Sequence, residues 1–459
     1  MISNSTYLIF YLILCFVLGF FRIPKIKSLK EYALGNNQFS TWVLSFSLIA
    51  TLIGPELVMG VAEKSYALGI VYIIPLCLIV FRWWFLANGL GNSLILLKQH
   101  KCMTLVDIMH LFFGSTGRFL CAGSVIIQFL ILGILYKTAG IVLERYSGIS
   151  MMNGALIIAI SIALYSIFGG IHAVVITDVV QFFIFMTILP CILLIGFYNI
   201  DFSTVMNDIP YEKAHVTHDD VPLLLSLIIY GIIPSTGFPF IQRGLMCENK
   251  MQLKKVFNIT GIICFFFMLL IATSGFLALS ISPDIKSDDA IFAFIEKSVP
   301  PQIFGFIAIS FLAIIMSTAS SLLNSANVII MKDIFEPIFP KLKNSKTELF
   351  ITQIIGIFVV IISFFTIFID KKIIDMFWTI ENFWDPIVSI PLMTSLFGYR
   401  IPMGKFKYVI ITSLTSVLIA RYFHTDFDTI TWSVGVIVSL ITIIVLRRNK
   451  AYELSVVTH

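Results

Sequence analysis

Residues 44–60, LSFSLIATLIGPELVMG, join an apolar run to a built-in helix break, because Gly54-Pro55 sits mid-stretch and Glu56 follows at once. Proline removes a backbone donor and crowds the preceding turn, and glycine weakens that turn further. Carbonyls left without donors, beside an acidic side chain at membrane depth, are tolerated only where they line a protein-enclosed cavity. The chemistry such a stretch offers is coordination of a cation or a polar solute by neutral oxygens. A second stretch, LLSLIIYGIIPSTGFPFIQRG at 224–244, carries Gly231, Pro234, Gly237 and Pro239, with Ser235 and Thr236 supplying hydroxyls. Paired Gly/Pro-interrupted spans at corresponding places in two halves point to a transporter site between inverted repeats. Proline-kinked helices of purely structural purpose are the alternative. A third unusual residue is Arg82, in IVFRWWF. A mid-span guanidinium costs about 2.5–3.5 kcal/mol even on lenient insertion scales. It therefore pairs with Glu56, binds a solute carboxylate bidentately, or snorkels along a tilted helix. Trp83, Trp84, Trp378 and Trp384 suit either a quaternary amine or ordinary core and interface packing.

The elements that position these residues are membrane helices. Of 459 residues, 58% are hydrophobic and 12% charged, with a mean hydropathy of +0.97. A soluble domain is closer to a quarter charged, so the composition predicts an all-α polytopic membrane protein. About 13 stretches meet the length a span requires: 5–21, 40–62, 69–95, 117–142, 150–168, 173–198, 221–242, 256–280, 302–329, 349–369, 373–397, 406–423 and 429–446. Loops rich in Lys and Arg alternate with loops rich in Asp and Glu. Arg22/Lys25, Lys98/Lys101, Lys250/Lys254, Lys341/Lys343, Arg400/Lys405 and Arg447/Arg448/Lys450 fall on one side, with Arg243 and Arg118 counted among them. Asp201/Asp208, Asp284/Asp288 and Asp426/Asp428 fall on the other. The positive-inside rule then predicts an outside N-terminus and a cytoplasmic C-terminus. The positive cluster follows the first apolar run, the wrong polarity for a cleaved signal peptide. Residues 287–298 read as a small amphipathic helix on the outer face.

The chain divides as a leading helix and loop (1–38), a first repeat (39–199), a second repeat (220–399) and two closing helices (405–447), all in one membrane domain. The seven scattered cysteines lack metal-ligand spacing and read as packing residues. His100, His110, His172, His215 and His218 show no HExxH-like spacing, and no GxxxxGK[ST] loop occurs. A carrier is therefore expected, and an enzyme or an ATP-driven pump is not. A transporter-like membrane sensor is a further class, disfavoured by the lack of a signalling module. Richness in Ile, Phe, Lys and Asn hints at an AT-rich bacterial genome, and so at an inner membrane.

Four stretches, YALGNNQFSTWVLSFSLIATLIGPELVMGVAEKSYALG (32–69), GGIHAVVITDVVQ (169–181), FIQRGL (240–245) and FLAIIMSTASSLLNSANVIIMKDIFEP (311–337), resemble the sodium:solute symporter family. That group includes bacterial proline, pantothenate and sugar symporters and animal choline and glucose transporters. The resemblance implies a LeuT-like 5+5 inverted-repeat core with flanking helices, and sodium as coupling ion with no cofactor. Matched residue by residue, it implies a sodium site from the carbonyls of Ala50, Ile53 and Ile314 and the hydroxyls of Ser317 and Thr318. Hydroxyls bonding back to their own helix are the alternative for the last two. Some relatives carry an acidic or amide residue where this chain has Leu52, so one sodium per cycle is expected. Asp178 matches the family's Thr-Asp pair, where it guides sodium, steadies an inner gate, or simply pairs with a loop lysine. Gly169-Gly170 are expected to form the tight turn before that helix. The solute level implied by the family brings in Glu56 and Leu57 at the first break and Ser235, Thr236 and Phe238 at the second. Gln128, Trp378, Glu381 and Asp385 join them by position. The function implied is sodium-driven import of a small polar solute, an amino acid such as proline being favoured. A proton-coupled or facilitative carrier is the alternative.

Overall fold

A computed structural model describes residues 4–21, 26–35, 38–201, 205, 207–343, 346–369, 373–423 and 429–447. Arg22, Lys25, Asp426, Asp428, Arg448 and Lys450, used above to orient the chain, lie outside these, as does the tail that follows. The described residues form helices joined by loops and turns, without a strand. In order they are α1 (Asn4–Phe21), α2 (Leu29–Leu34), α3 (Thr41–Leu52), α4 (Pro55–Leu68), α5 (Ile70–Gln99), α6 (Leu105–Gly123), α7 (Val125–Ser147), α8 (Met151–Tyr198) and α9 (Val221–Ile232). There follow α10 (Phe238–Met246), α11 (Lys250–Ile281), α12 (Ala290–Ser298), α13 (Phe304–Ile329), α14 (Lys346–Phe365), α15 (Ile373–Trp384), α16 (Ile390–Leu396), α17 (Phe406–Phe423) and α18 (Thr429–Leu446).

Every predicted span is helical, yet by length and apolarity alone eight helices of the described residues qualify, or nine when α3 and α4 count as one. The difference has local causes. α1 enters only as the shorter apolar stretch Leu8–Gly19, α8 runs through two expected spans, the two halves of the second break are each too short, and α15 passes into α16 through a π-helical turn at Asp385–Ser389. Within α8, Gly170 adopts φ 52° and ψ −151°, folding the helix on itself at the predicted double glycine. A side chain there is strained by the backbone alone, and a Cβ would stand 2.7 Å from the ring of Tyr32. That ring belongs to α2, wedged against α8, α10 and α13. The Tyr32 hydroxyl donates to the Ile167 carbonyl at 3.1 Å, and Gln242 Nε2 donates to the Ala33 carbonyl at 2.7 Å.

The prolines start helices as well as interrupt them. Pro55 and Pro239 occupy the first turn of α4 and α10, where a missing N–H costs nothing. α3 and α4 meet at 57°. α13 is buried along almost its whole length between α7, α8 and α3, so even its polar residues must find partners inside the protein. α12, at the predicted amphipathic stretch, is tied to α7 by Arg145, which pairs with Glu296 at 2.6 Å and Asp289 at 2.9 Å.

Candidate cation cradle and solute cavity

The first break leaves two carbonyls without their helical donors. The Gly54 amide turns to Leu52 O at 2.9 Å rather than to Ala50 O, and Pro55 has no amide to offer Thr51. Both oxygens are met from α13. Ser317 Oγ donates to Ala50 O at 2.7 Å, and Thr318 Oγ1 lies 3.4 Å from Thr51 O. The same hydroxyls reach Ile314 O at 2.9 and 3.2 Å. Ala50, Ile314, Ser317 and Thr318 are thus brought together, with all but Thr318 fully buried. Back-bonding to their own helix and contact with the break are therefore simultaneous, where the sequence posed them as alternatives. Ile53 is buried at the end of α3, its amide bonded to Ile49 O. The hydroxyls of Ser317 and Thr318 go to Ala50, Thr51 and Ile314 instead. The Thr51 carbonyl was missed from sequence, although Pro55, four residues on, already orphans it.

Directly beside this cluster lies a buried ion pair. Arg243 Nη2 meets Asp178 Oδ2 at 3.0 Å, with both side chains wholly inaccessible. Ser47 Oγ donates to the same carboxylate oxygen at 2.6 Å. Arg243 also donates to Ser321 Oγ at 2.6 Å, and Ser321 is 2.9 Å from Thr51 Oγ1. Of the readings open for Asp178, the loop-lysine pairing is absent among the described residues. One expectation is corrected: Arg243, counted with the loop cations, sits within α10, the second half of the other broken helix. Position near a run of loop charges misled the reading. The signal that could have found it is the apolar stretch FPFI just before, which continues a helix into the protein.

Beyond the cradle opens a cavity of about 270 Å³ bounded by both breaks. Glu56, Leu57, Arg82, Gln128, Ser235, Phe238, Trp378 and Glu381 all line it. Thr236 does not. Its amide and hydroxyl both lie 2.9 Å from Ser389 Oγ, so it staples the second break instead of facing solute. Ser389 in turn donates to Asp385 Oδ1 at 2.6 Å, and Trp432 Nε1 donates to Asp385 Oδ2 at 3.1 Å. Arg82 does not pair with Glu56. Its Nε donates to the Ile233 carbonyl freed at the second break, 2.7 Å away, and the guanidinium lies 4.5 Å over the Tyr230 ring. Tyr230, unforeseen, donates its hydroxyl to Glu381 Oε2 at 2.9 Å. Gln128 Oε1 accepts from Ser325 at 2.9 Å. Among the described residues, three lining atoms, Glu56 Oε2, Arg82 Nη2 and Gln128 Nε2, are buried without a hydrogen-bond partner.

Residues 32–403 match the model of the sodium:solute symporter family. The chain belongs to that family. Relatives include the sodium/pantothenate symporter of Escherichia coli, 26% identical over 74% of each chain. The high-affinity proline transporter of Bacillus subtilis is 23% identical over 74% of this chain and 75% of its own. Among solved structures, a Na+-coupled sialic acid symporter in a substrate-bound outward-open state superposes with a TM-score of 0.77 at 19% identity, over 97% of this chain and 98% of that one. A nucleobase-cation-symport-1 transporter, Mhp1, gives 0.60 at 10% identity. The fold is therefore the LeuT-like helical one that the resemblance implied. As a member of this symporter family, the chain is a multi-pass transporter of the plasma membrane, coupling a small solute to sodium.

Proposed function

We propose that the chain imports a small polar organic solute, an amino acid such as proline being favoured, by alternating access around the cradle and cavity. One observation carries the ion assignment: two hydroxyls of α13 occupy the carbonyls that the first break frees. A monovalent hard cation takes neutral oxygens. Turning the Ser317 and Thr318 hydroxyls away from their acceptors would present two hydroxyl oxygens and the carbonyls of Ala50, Thr51 and Ile314 to one ion. Ile53, the family's remaining carbonyl, completes the set in this reading. The hydrogen bonds given up are each worth about 0.5–1.5 kcal/mol net, a modest cost beside the coordination gained.

Thr318 and Thr51 also line the solute cavity, so ion and solute share a wall. A bound cation fixes α3 against α13, and with them the floor on which solute rests; solute in turn bridges the two breaks. The repeats, 39–199 and 220–399, then rock around a closed site only when both are present. A potential of about 100 mV supplies ~2.3 kcal/mol per charge. A tenfold sodium gradient adds ~1.4 kcal/mol, together enough for roughly several-hundredfold accumulation of a neutral solute. The basic loops place the N-terminus outside and the C-terminus in the cytoplasm of a bacterial cell in this reading.

The test is radiolabelled uptake by the purified protein in proteoliposomes across a solute panel, with and without an imposed sodium gradient. Uptake that requires inward sodium is expected. Uptake that ignores sodium and follows a proton gradient overturns the ion assignment.

A further inference from the structure

The charged residues of the cavity are more specific than the sodium coupling requires. Among the described residues four line it: Arg82 and Lys64, Glu56 and Glu381. They are not distributed as one cation end and one anion end. Tyr230 stands between Arg82 and Glu381, its ring under the guanidinium at 4.5 Å and its hydroxyl on the carboxylate at 2.9 Å. The Lys64 ammonium lies 5.8 Å over the ring of Trp378, which itself lies 5.1 Å from the Tyr230 ring. Opposite charges therefore adjoin across an aromatic partition. Each sign keeps unsatisfied capacity, since Arg82 Nη2 and Glu56 Oε2 are both buried without a hydrogen-bond partner among the described residues. Burial of such atoms costs free energy unless a ligand supplies the missing bond.

Behind the second break, Asp385 adds a further carboxylate, wholly buried and held by Ser389 and Trp432. A solute that carries both signs meets both sets at once, whereas one with a single charge leaves buried groups of the other sign without a partner, which a low-dielectric interior penalises.

We propose that the solute is a zwitterion with its two charges close together, the carboxylate received by Arg82 and the cationic nitrogen by Glu56 and Glu381 against Tyr230 and Trp378. This rests on the transport reading above and narrows it. Because Arg82 Nε is committed to Ile233, the carboxylate meets the outer guanidinium nitrogens and not the Nε side of the fork. Uncharged sugars leave both charged sets bare. Simple anions leave the carboxylates bare.

The experiment is thermal stabilisation of the full-length protein in sodium-containing buffer by the twenty protein amino acids and glycine betaine. Matched single-charge probes accompany them: pyrrolidine and cyclopentanecarboxylate for L-proline, with pantothenate and glucose as anionic and uncharged solutes. The expected result is that at least one zwitterion binds, and that deleting either charge in its carbon frame weakens binding by thirtyfold or more. In Glu381→Gln, discrimination against the des-amino counterpart collapses, while the sodium half-saturation, read by tryptophan fluorescence without solute, stays within threefold. A merely structural loss would weaken all solutes equally. Arg82→Lys, which retains a donor and a charge, keeps the fold while losing at least tenfold for the carboxylate-bearing ligand. Binding of pantothenate or glucose with zwitterions excluded overturns the proposal and leaves sodium symport standing. No stabilisation by any zwitterion also overturns it. Uptake of a zwitterion without sodium dependence instead removes the ion assignment of the transport reading and spares the recognition.

Discussion

The two broken helices begin from the same local chemistry and end differently. At the first break, the freed carbonyls of Ala50 and Thr51 are met by hydroxyls of Ser317 and Thr318. At the second, Ile233 O accepts from a guanidinium, Thr236 O accepts from Trp384 Nε1 at 3.2 Å, and the Thr236 amide is fixed on Ser389. Hydroxyls rotate cheaply and carry lone pairs as well as a proton. Guanidinium and indole groups only donate and cannot turn into ligands for a cation. One break is thus held shut by groups that can open to an ion, and the other is pinned into a permanent wall. Gly and Pro make a break; its partners decide what it does.

The largest expected effect tests the exchangeable side. Ser317→Ala with Thr318→Ala removes both hydroxyls, and the sodium half-saturation of uptake is expected to rise at least a hundredfold. A rise below threefold would make the two breaks equivalent. Next comes the buried pair that braces the cradle. Asp178→Asn leaves Arg243 as an uncompensated buried charge, a loss of about 3–5 kcal/mol in such cases. Thermal denaturation in detergent reads it, and the double variant Asp178→Asn/Arg243→Met is expected to recover part of the loss. The pinned side responds differently. Ser389→Ala breaks the staple on Thr236, and solute affinity is expected to fall about tenfold, equivalent to ~1.4 kcal/mol, with sodium affinity nearly unchanged. Equal effects on both ligands would erase the contrast. The smallest change expected is Pro55→Ala, which returns an amide to the Thr51 carbonyl. It is expected to weaken sodium by roughly threefold to tenfold, through a competing hydrogen bond of about 0.5–1.5 kcal/mol.

Much of this contrast could be read in part beforehand. The breaks announce themselves through Pro55, Pro234 and Pro239, because a missing donor is a property of the residue itself. Arg82 stood out because a mid-span charge is costly wherever the helix points. Its partner could not be read, and Ile233 rather than Glu56 accepts from it, because a carbonyl becomes a target only once its own helix has ended. Thr236 looked like a solute ligand by composition, yet the π-turn at Asp385–Ser389 brings Ser389 to it from 153 residues away. Arg243 read as a loop cation because charge along the chain is blind to how far a broken helix is pulled inward.

By itself, the sequence determined that this chain is a bundle of membrane helices and where those helices break. These are consequences of apolar length and of proline and glycine chemistry within a few residues. Only the tertiary structure decided which groups meet the orphaned oxygens. Ser317 reaches Ala50 across 267 positions, and no local preference encodes a contact that exists only after α3 and α13 have packed.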